Sequence, residues 1–288
     1  MGRKIALLFV ALAIAISALF FIFPYLQILI QPAENQAPLP SFTVYFLNVG
    51  QGDSIFLTNG NESMLMDCGP EEQGKKVSAY LTRLGVYEID YLAITHTDSD
   101  HMGGCAEILN DFYVRTILVD GQIRDTSAYT KTVSAFGDSA VIVPRVGDSF
   151  DFPSSVSKIS ILHANSGSSE PNQNSLVLFL KYGKIKFLFD SDCDSGCETA
   201  LELQNIDADI LKVAHHGSRY ATSSEFLSKV TPKLAIISVG ENSYGHPSNE
   251  TLARILSSGS EILRTDQNNS IAVRTDGVSF SIIPPVQN

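Results

Sequence analysis

The chain has 288 residues, 44% of them hydrophobic, enough for one large domain or two small ones with a sizeable core. Its formal net charge of −11 argues against a nucleic-acid clamp of the kind that carries a basic stripe. Anionic substrates stay open, because bound divalent cations reverse a local field.

The N-terminus comes first in chain order. After Arg3 and Lys4, Ile5 to Phe23 runs for 19 residues with Ser17 as its only polar side chain. As a helix this segment spans about 28 Å, close to the hydrocarbon thickness of a bilayer. Residues 1–30 are therefore expected to form a transmembrane anchor, with a removed signal peptide as the alternative. Positive charge ahead of the span places the rest of the chain outside the cell membrane, anchored or, after cleavage, secreted. Residues 31–40, with three prolines, read as a linker, and residues 41–288 as one domain.

From Ser41 the pattern turns to short strands. FTVYFLN, DSIFLT and SMLMD are separated by the Gly-rich turns VGQGD and TNGNE. Lys75 to Leu84 puts Val77, Tyr80, Leu81 and Leu84 on one helical face, and Gly85 supplies a stop. Tyr91 to Thr95 is a continuous apolar strand, followed by a helix from Gly103 and a strand around Thr116 to Val119. Gly121 to Ser157 is more polar and yields no clear element. SLVLFLKYG and KIKFLFD then form two strands joined at Tyr182-Gly183. A helix (Glu198 to Leu203), the strand DILKVA, a helix (Ser224 to Val230), the strand KLAIISVG, a helix (Thr251 to Leu256) and a final pair of strands complete the chain. This order predicts an α/β fold, a two-layer sheet core with helices on both outer faces. Cys68, Cys105, Cys193 and Cys197 are even in number, so pairing is open; small buried hydrophobes is the favoured reading. Cys193 and Cys197 stand four apart, a spacing that suggests a bridge only with strain.

His96, Asp98, Asp100 and His101 fall within six positions at the carboxyl end of the 91–95 strand. Imidazoles and carboxylates this close need something to pair with away from water. His96 and Asp98 can face one point and the Asp100–His101 pair a second, which suits two neighbouring cations. Met102-Gly103-Gly104 gives the turn freedom to enter a helix.

The pattern H-x-D-x-D-H-x-G-G resembles the metal-binding motif of the metallo-β-lactamase superfamily, in the variant with Asp at the second ligand position. NVGQGDS (Asn48 to Ser54), MLMDCG (Met64 to Gly69), NSLVL (Asn174 to Leu178), DSD (Asp190 to Asp192), LKVAHHGS (Leu211 to Ser218) and YGHPS (Tyr244 to Ser248) keep the order of the hydrolase domain of ComEC-type competence proteins. The resemblance implies a metallo-β-lactamase-like αββα four-layer sandwich, here preceded by one hydrophobic N-terminal helix. It assigns His96 and Asp98 to a first cation, Asp100 and His101 to a second, and Asp192 to the bridge between them. One of His215 and His216 completes the second site, with His216 preferred. The other, His215, would act on substrate together with Asp100 and His246. Asp67, Asn174 and Ser218 would orient the ligands from behind.

Two departures stand out. ComEC-type proteins carry this domain on a multispanning channel, whereas a single hydrophobic segment precedes it here. The superfamily's His before the NSLVL-like strand is replaced by Asn172 to Ser175 (NQNS), with His163 nearby at another offset. An oxygen-rich ligand set points to one or two divalent ions, zinc or manganese. The expected activity is a phosphodiesterase or nuclease attacking with metal-activated water, its substrates including nucleic acid, with membrane contact through the N-terminal segment. Hydrolysis of another envelope ester (lactone, carboxylic ester or phosphocholine-type) is the enzymatic alternative. A non-catalytic binding module linked to DNA uptake is the alternative from another class.

Overall fold

Strands β1 (Phe42–Phe46), β2 (Ile55–Thr58) and β3 (Ser63–Met66) are buried along almost their whole length. Unbroken burial requires cover on both faces of a sheet, which explains why these stretches are runs of apolar residues without alternation. They belong to the computed structural model of the chain, which describes residues 39–153 and 157–285. The segment expected to be an anchor or signal peptide, and most of the linker, lie outside the described residues. Among the described residues no helix is long and apolar enough to cross a membrane.

The chain builds two mixed sheets. The first has eight strands: β15 (Phe280–Ile283) and β14 (Ile271–Thr275) flank β1, and β2, β3, β4 (Glu88–Ile94), β5 (Tyr113–Val119) and β6 (Ala140–Ile142) continue in order. The second has seven, in the order β13 (Glu261–Arg264), β12 (Leu234–Ile237), β11 (Ile210–Lys212), β10 (Ile185–Phe189), β9 (Val177–Tyr182), β8 (Ser157–His163) and β7 (Ser149–Asp151). Aromatic contacts join their inner faces: Phe42 stacks on Tyr182 with ring centroids 4.9 Å apart, and Phe46 meets Phe189 at 6.4 Å.

Helices cover both outer faces. On the first sheet, Val77, Tyr80 and Leu81 of α1 (Gly74–Arg83) and Ile108 of α3 (Cys105–Asp111) share a core with Leu65, Leu92 and Ile117. The one-turn α2 (Ser99–Met102) precedes α3, and α4 (Ser127–Ser134) packs beside it. On the second sheet, Leu201 of α5 (Ser195–Leu201), Phe226, Leu227 and Val230 of α6 (Ser224–Val230) and Ile255 of α7 (Asn249–Ser257) cover Leu188, Leu211 and Ala235. A last turn, α8 (Thr265–Asn268), comes after β13. The layers thus run helix, sheet, sheet, helix.

Several details differ from the sequence reading. Helix α5 starts at Ser195 because the Asp194 carboxylate accepts from the amides of Gly196 and Cys197, leaving Asp192 outside the cap. The polar stretch after Gly121 contains α4, β6 and β7, whose exposed faces mask the usual apolar signal. Three strands, not two, end the chain, since β13 extends the second sheet before β14 and β15 return to the first.

The cysteines also require correction: they are disulfides rather than free buried thiols. Cys68 pairs with Cys105 and Cys193 with Cys197, at Cα separations of 5.1 and 5.4 Å. Both separations lie inside the ordinary window for a cystine. The turn after Asp192 folds Cys193 back toward the first turn of α5, which makes the four-residue spacing workable.

Candidate metal centre

The first sheet delivers its side chains from the carboxyl ends of β3 and β4. Asp67 comes just after β3, His96 just after β4, and Asp100 and His101 ride on α2. The second sheet supplies Asp192 just after β10 and His215 and His216 just after β11. Asp67, Ser191, His215 and His216 all hold positive φ values between 48° and 57°, an uncommon conformation for residues other than glycine. Each sits where the chain turns sharply to aim a side chain at the gap between sheet ends.

Five of these side chains meet, with Asp98 beside them. His101 Nε2 lies 3.3 Å from Asp192 Oδ1. His216 Nε2 lies 3.3 Å from Asp100 Oδ2 and 3.4 Å from Asp192 Oδ2. The His96 and His101 rings are 4.1 Å apart, and Asp98 Oδ2 is 3.7 Å from His96 Nε2. Among the described residues, four sets of side chains bring ligand atoms close enough to share an ion: His96, His101 and Asp192; Asp100, His101 and His216; Asp53, Asp67 and His101; and Asp53, Asp192 and His216. Asp98 stands at the rim, with its side chain 42% exposed.

The rings are fixed from behind. Asp67 Oδ2 faces His101 Nδ1 at 2.8 Å and also accepts from Thr95 Oγ1 at 2.7 Å. Ser238 offers its carbonyl to His216 Nδ1 at 2.9 Å. These contacts leave the Nε2 atoms of His96, His101 and His216 buried without hydrogen-bond partners, as is Asp192 Oδ1. Unsatisfied buried polar atoms are costly, and four aimed into one space fit cations that would take them as ligands.

Electrostatics agree with the geometry. Burial opposes charge on His101, yet Asp192 and Asp67 outweigh it and hold its pKa well above the usual imidazole value. His216, likewise desolvated, is pushed up to about 10 by Asp192 and Asp100. Burial would raise Asp192, but His216 and His101 keep it well below the usual carboxylate range. His96 has burial and the neighbouring His101 both against it and falls well below. The carboxylates thus favour protonated His216 and His101, which in turn favour ionised Asp192.

The other expected residues surround this cluster. His215 is 28% exposed, with Nε2 3.9 Å from Asp192 Oδ2 and the Asn172 amide nitrogen 3.3 Å away. His246 stands edge-on to His215 with ring centroids 5.4 Å apart; burial and His215 lower it to about 4. Ser218 closes the histidine turn, its amide donating to the His215 carbonyl at 2.8 Å. Asn174 is buried, but its amide is spent on the preceding loop, donating to the Ser168 and Glu170 carbonyls at 2.8 and 3.0 Å. Those bonds organise the loop rather than the imidazoles. His163 bonds the Ser175 carbonyl through Nδ1 at 2.9 Å.

Sequence reasoning gives no role to Asp53 or Lys212, both buried directly beneath the cluster. A signal is present: Asp53 belongs to the NVGQGDS motif, and Lys212 is the one charged residue in an otherwise apolar strand.

Comparison with known proteins adds four findings. Residues 47–169 match the model of the Metallo-beta-lactamase superfamily. ComE operon protein 3 of Bacillus subtilis is 30% identical over 84% of this chain and 34% of its own length. Competence protein ComA of Neisseria gonorrhoeae is 27% identical over 83% of this chain and 32% of its own length. The chain therefore spans about a third of these curated relatives. Among solved structures, the metallo-beta-lactamase fold protein YhfI of Bacillus subtilis superposes with a TM-score of 0.54 at 10% identity, over 81% of this chain and 99% of its own. At that identity the match speaks for the fold alone.

Proposed function

This chain has the metallo-β-lactamase fold and resembles ComEC-type competence proteins, and from that premise we propose that it is a divalent-metal hydrolase of phosphodiesters, nucleic acid among them. The observation that carries the reading is the convergence of His96, His101 and His216 Nε2 and Asp192 Oδ1, all buried and none of them in a hydrogen bond. His96, Asp98 and Asp192 would hold one ion, and Asp100, His101, His216 and Asp192 a second, zinc or manganese in either place. A bound divalent cation supplies a water of lowered pKa, toward about 7, and offsets charge on phosphoryl oxygens.

The chain's own side chains do the rest. Asp67 and the Ser238 carbonyl hold the rings of His101 and His216 so that Nε2 of each faces the site. His215, partly in solvent and beside Asp192, is positioned to give a proton to the departing alkoxide, a contribution of roughly 10²–10⁴ in rate. With a pKa of about 4, His246 is neutral at pH 7 and suits accepting a hydrogen bond from substrate better than donating a proton. A purely structural or binding role fits poorly, because it would leave four buried polar atoms aimed into one space without hydrogen bonds. The two disulfides support an oxidising compartment, outside the cytoplasm. The names of the competence relatives favour nucleic acid over small esters.

The test is a substrate panel on purified protein in zinc and in manganese: a phosphodiester, a carboxylic ester and a lactone. Metal-dependent turnover of the phosphodiester, abolished by Asp192→Ala, is expected. Turnover confined to the carboxylic ester or lactone would overturn the phosphodiesterase reading.

A further inference from the structure

We infer that Lys212 is a positioning residue: its ammonium, locked between the Asp53 carboxylate and the Ser191 carbonyl, sets the charge and alignment of the cation site above it. The inference rests on the metal-binding reading of the cluster.

Lys212 ends β11, paired in register with Phe189 of β10 and Ile236 of β12, in the middle of the second sheet. It is 1% exposed, and a lysine is almost never buried so deeply without a specific partner. Its Nζ forms an ion pair with Asp53 and donates to the Ser191 carbonyl at 3.3 Å. Burial disfavours its charge, but Asp53 and Asp192 outweigh burial, so Lys212 remains an ammonium.

Both partners lead straight to the site. The Ser191 carbonyl also accepts from the His215 amide at 2.9 Å, so one oxygen ties Lys212 to the turn carrying Asp192 and to the turn carrying His215 and His216. Ser191 Oγ donates to Thr95 Oγ1 at 2.6 Å, which links that turn to the loop of His96. On the other side, the Asp53 amide donates to the Asp100 carbonyl at 3.1 Å. The Asp53 oxygens lie 3.8 Å from His216 Nδ1 and 3.9 Å from His101 Nδ1. These are the ring atoms facing away from the proposed ions.

One ammonium therefore lies under both imidazoles and anchors segments from both sheets. Without it, Asp53 becomes a buried anion stripped of its ion-pair partner and the Ser191 carbonyl loses a donor, so the segments carrying Asp100, Asp192 and His215 lose a shared anchor. Without Asp53, the ammonium is left free beneath a site for divalent cations. Either single loss disturbs the site, whereas removing both charges together disturbs it less.

The experiment measures zinc affinity of the full chain by competition with a chromophoric chelator, for the parent protein, Lys212→Met, Asp53→Asn and the double variant. Thermal unfolding in chelator reports on folding separately. Each single variant is expected to bind zinc at least about tenfold more weakly, in the range for loss of a residue that supports a ligand. The double variant is expected to bind more tightly than either single one, a coupling that only a shared electrostatic role produces. If Lys212→Met does not fold, Asp53→Asn against the double variant carries the same comparison. Single variants within about twofold of a zinc-binding parent overturn the inference alone, since that is below the range for such a residue. A double variant no better than the single ones also overturns it. A parent that binds no zinc overturns the metal reading itself.

Discussion

His96 and His216 share one buried cluster yet lean toward opposite protonation states. Burial and His101 hold His96 low, whereas the carboxylates of Asp192 and Asp100 overcome burial at His216 and push it up to about 10. His101 is raised in the same way by Asp192 and Asp67. At about 10, His216 keeps its proton at pH 7, and His101 is shifted in the same direction. A nitrogen ligand must be unprotonated, so zinc binding at pH 7 is predicted to release protons, and affinity is predicted to fall as pH falls. Calorimetry in two buffers of different ionisation heat counts those protons; no release would contradict the assignment of His101 and His216 as ligands. At this scale much is legible in the sequence. HTDSDH gathers ligand types in one short stretch, and the His215–His216 pair before Gly-Ser is unusual enough to notice. Asp53 and Lys212 are not legible as a pair, because nothing local joins them; they meet only when the two sheets close.

The elements that frame the site are held by close backbone approaches and by cross-links. Gly52 has φ +143°, and a Cβ there would run into the carbonyl of Asp100. Gly52→Ala is predicted to cost about 1–3 kcal/mol by combining strain with that collision, and to weaken zinc binding by displacing Asp100. Urea unfolding with a zinc titration checks both; a variant unchanged in each would show that this contact does not set the position of Asp100. The disulfides differ in what they enclose. Cys68–Cys105 spans 37 residues, so its removal is predicted to cost about 3–4 kcal/mol by loop entropy. Cys193–Cys197 spans four, which on the same basis is worth about 2 kcal/mol. Comparing the two Cys-to-Ser double variants by denaturant unfolding tests the order, and equal losses would contradict it. Strands and amphipathic helices are legible here because Val77, Tyr80 and Leu81 keep a helical period and FTVYF is a short run rich in aromatic and β-branched residues. The cystines are not, since pairing depends on where turns bring the backbone. Helix α4 and strand β6 escape a sequence reading because their surfaces face solvent.

At the scale of the molecule, the centre exists only because two sheets end at the same edge. The first sheet contributes His96, Asp100 and His101; the second contributes Asp192 and His216. Neither half alone gathers the proposed ligands of both ions, so the site reports on the whole fold. It also reconciles a net charge of −11 with an anionic substrate, because bound cations would reverse the field where the chemistry occurs. The most direct measurement is metal content by mass spectrometry on the purified protein and on Asp192→Ala, each assayed with a phosphodiester. The account predicts about two metal equivalents and metal-dependent turnover in the parent, as expected for a two-ion site, with both reduced in the variant. A parent that carries no metal and turns nothing over would contradict it.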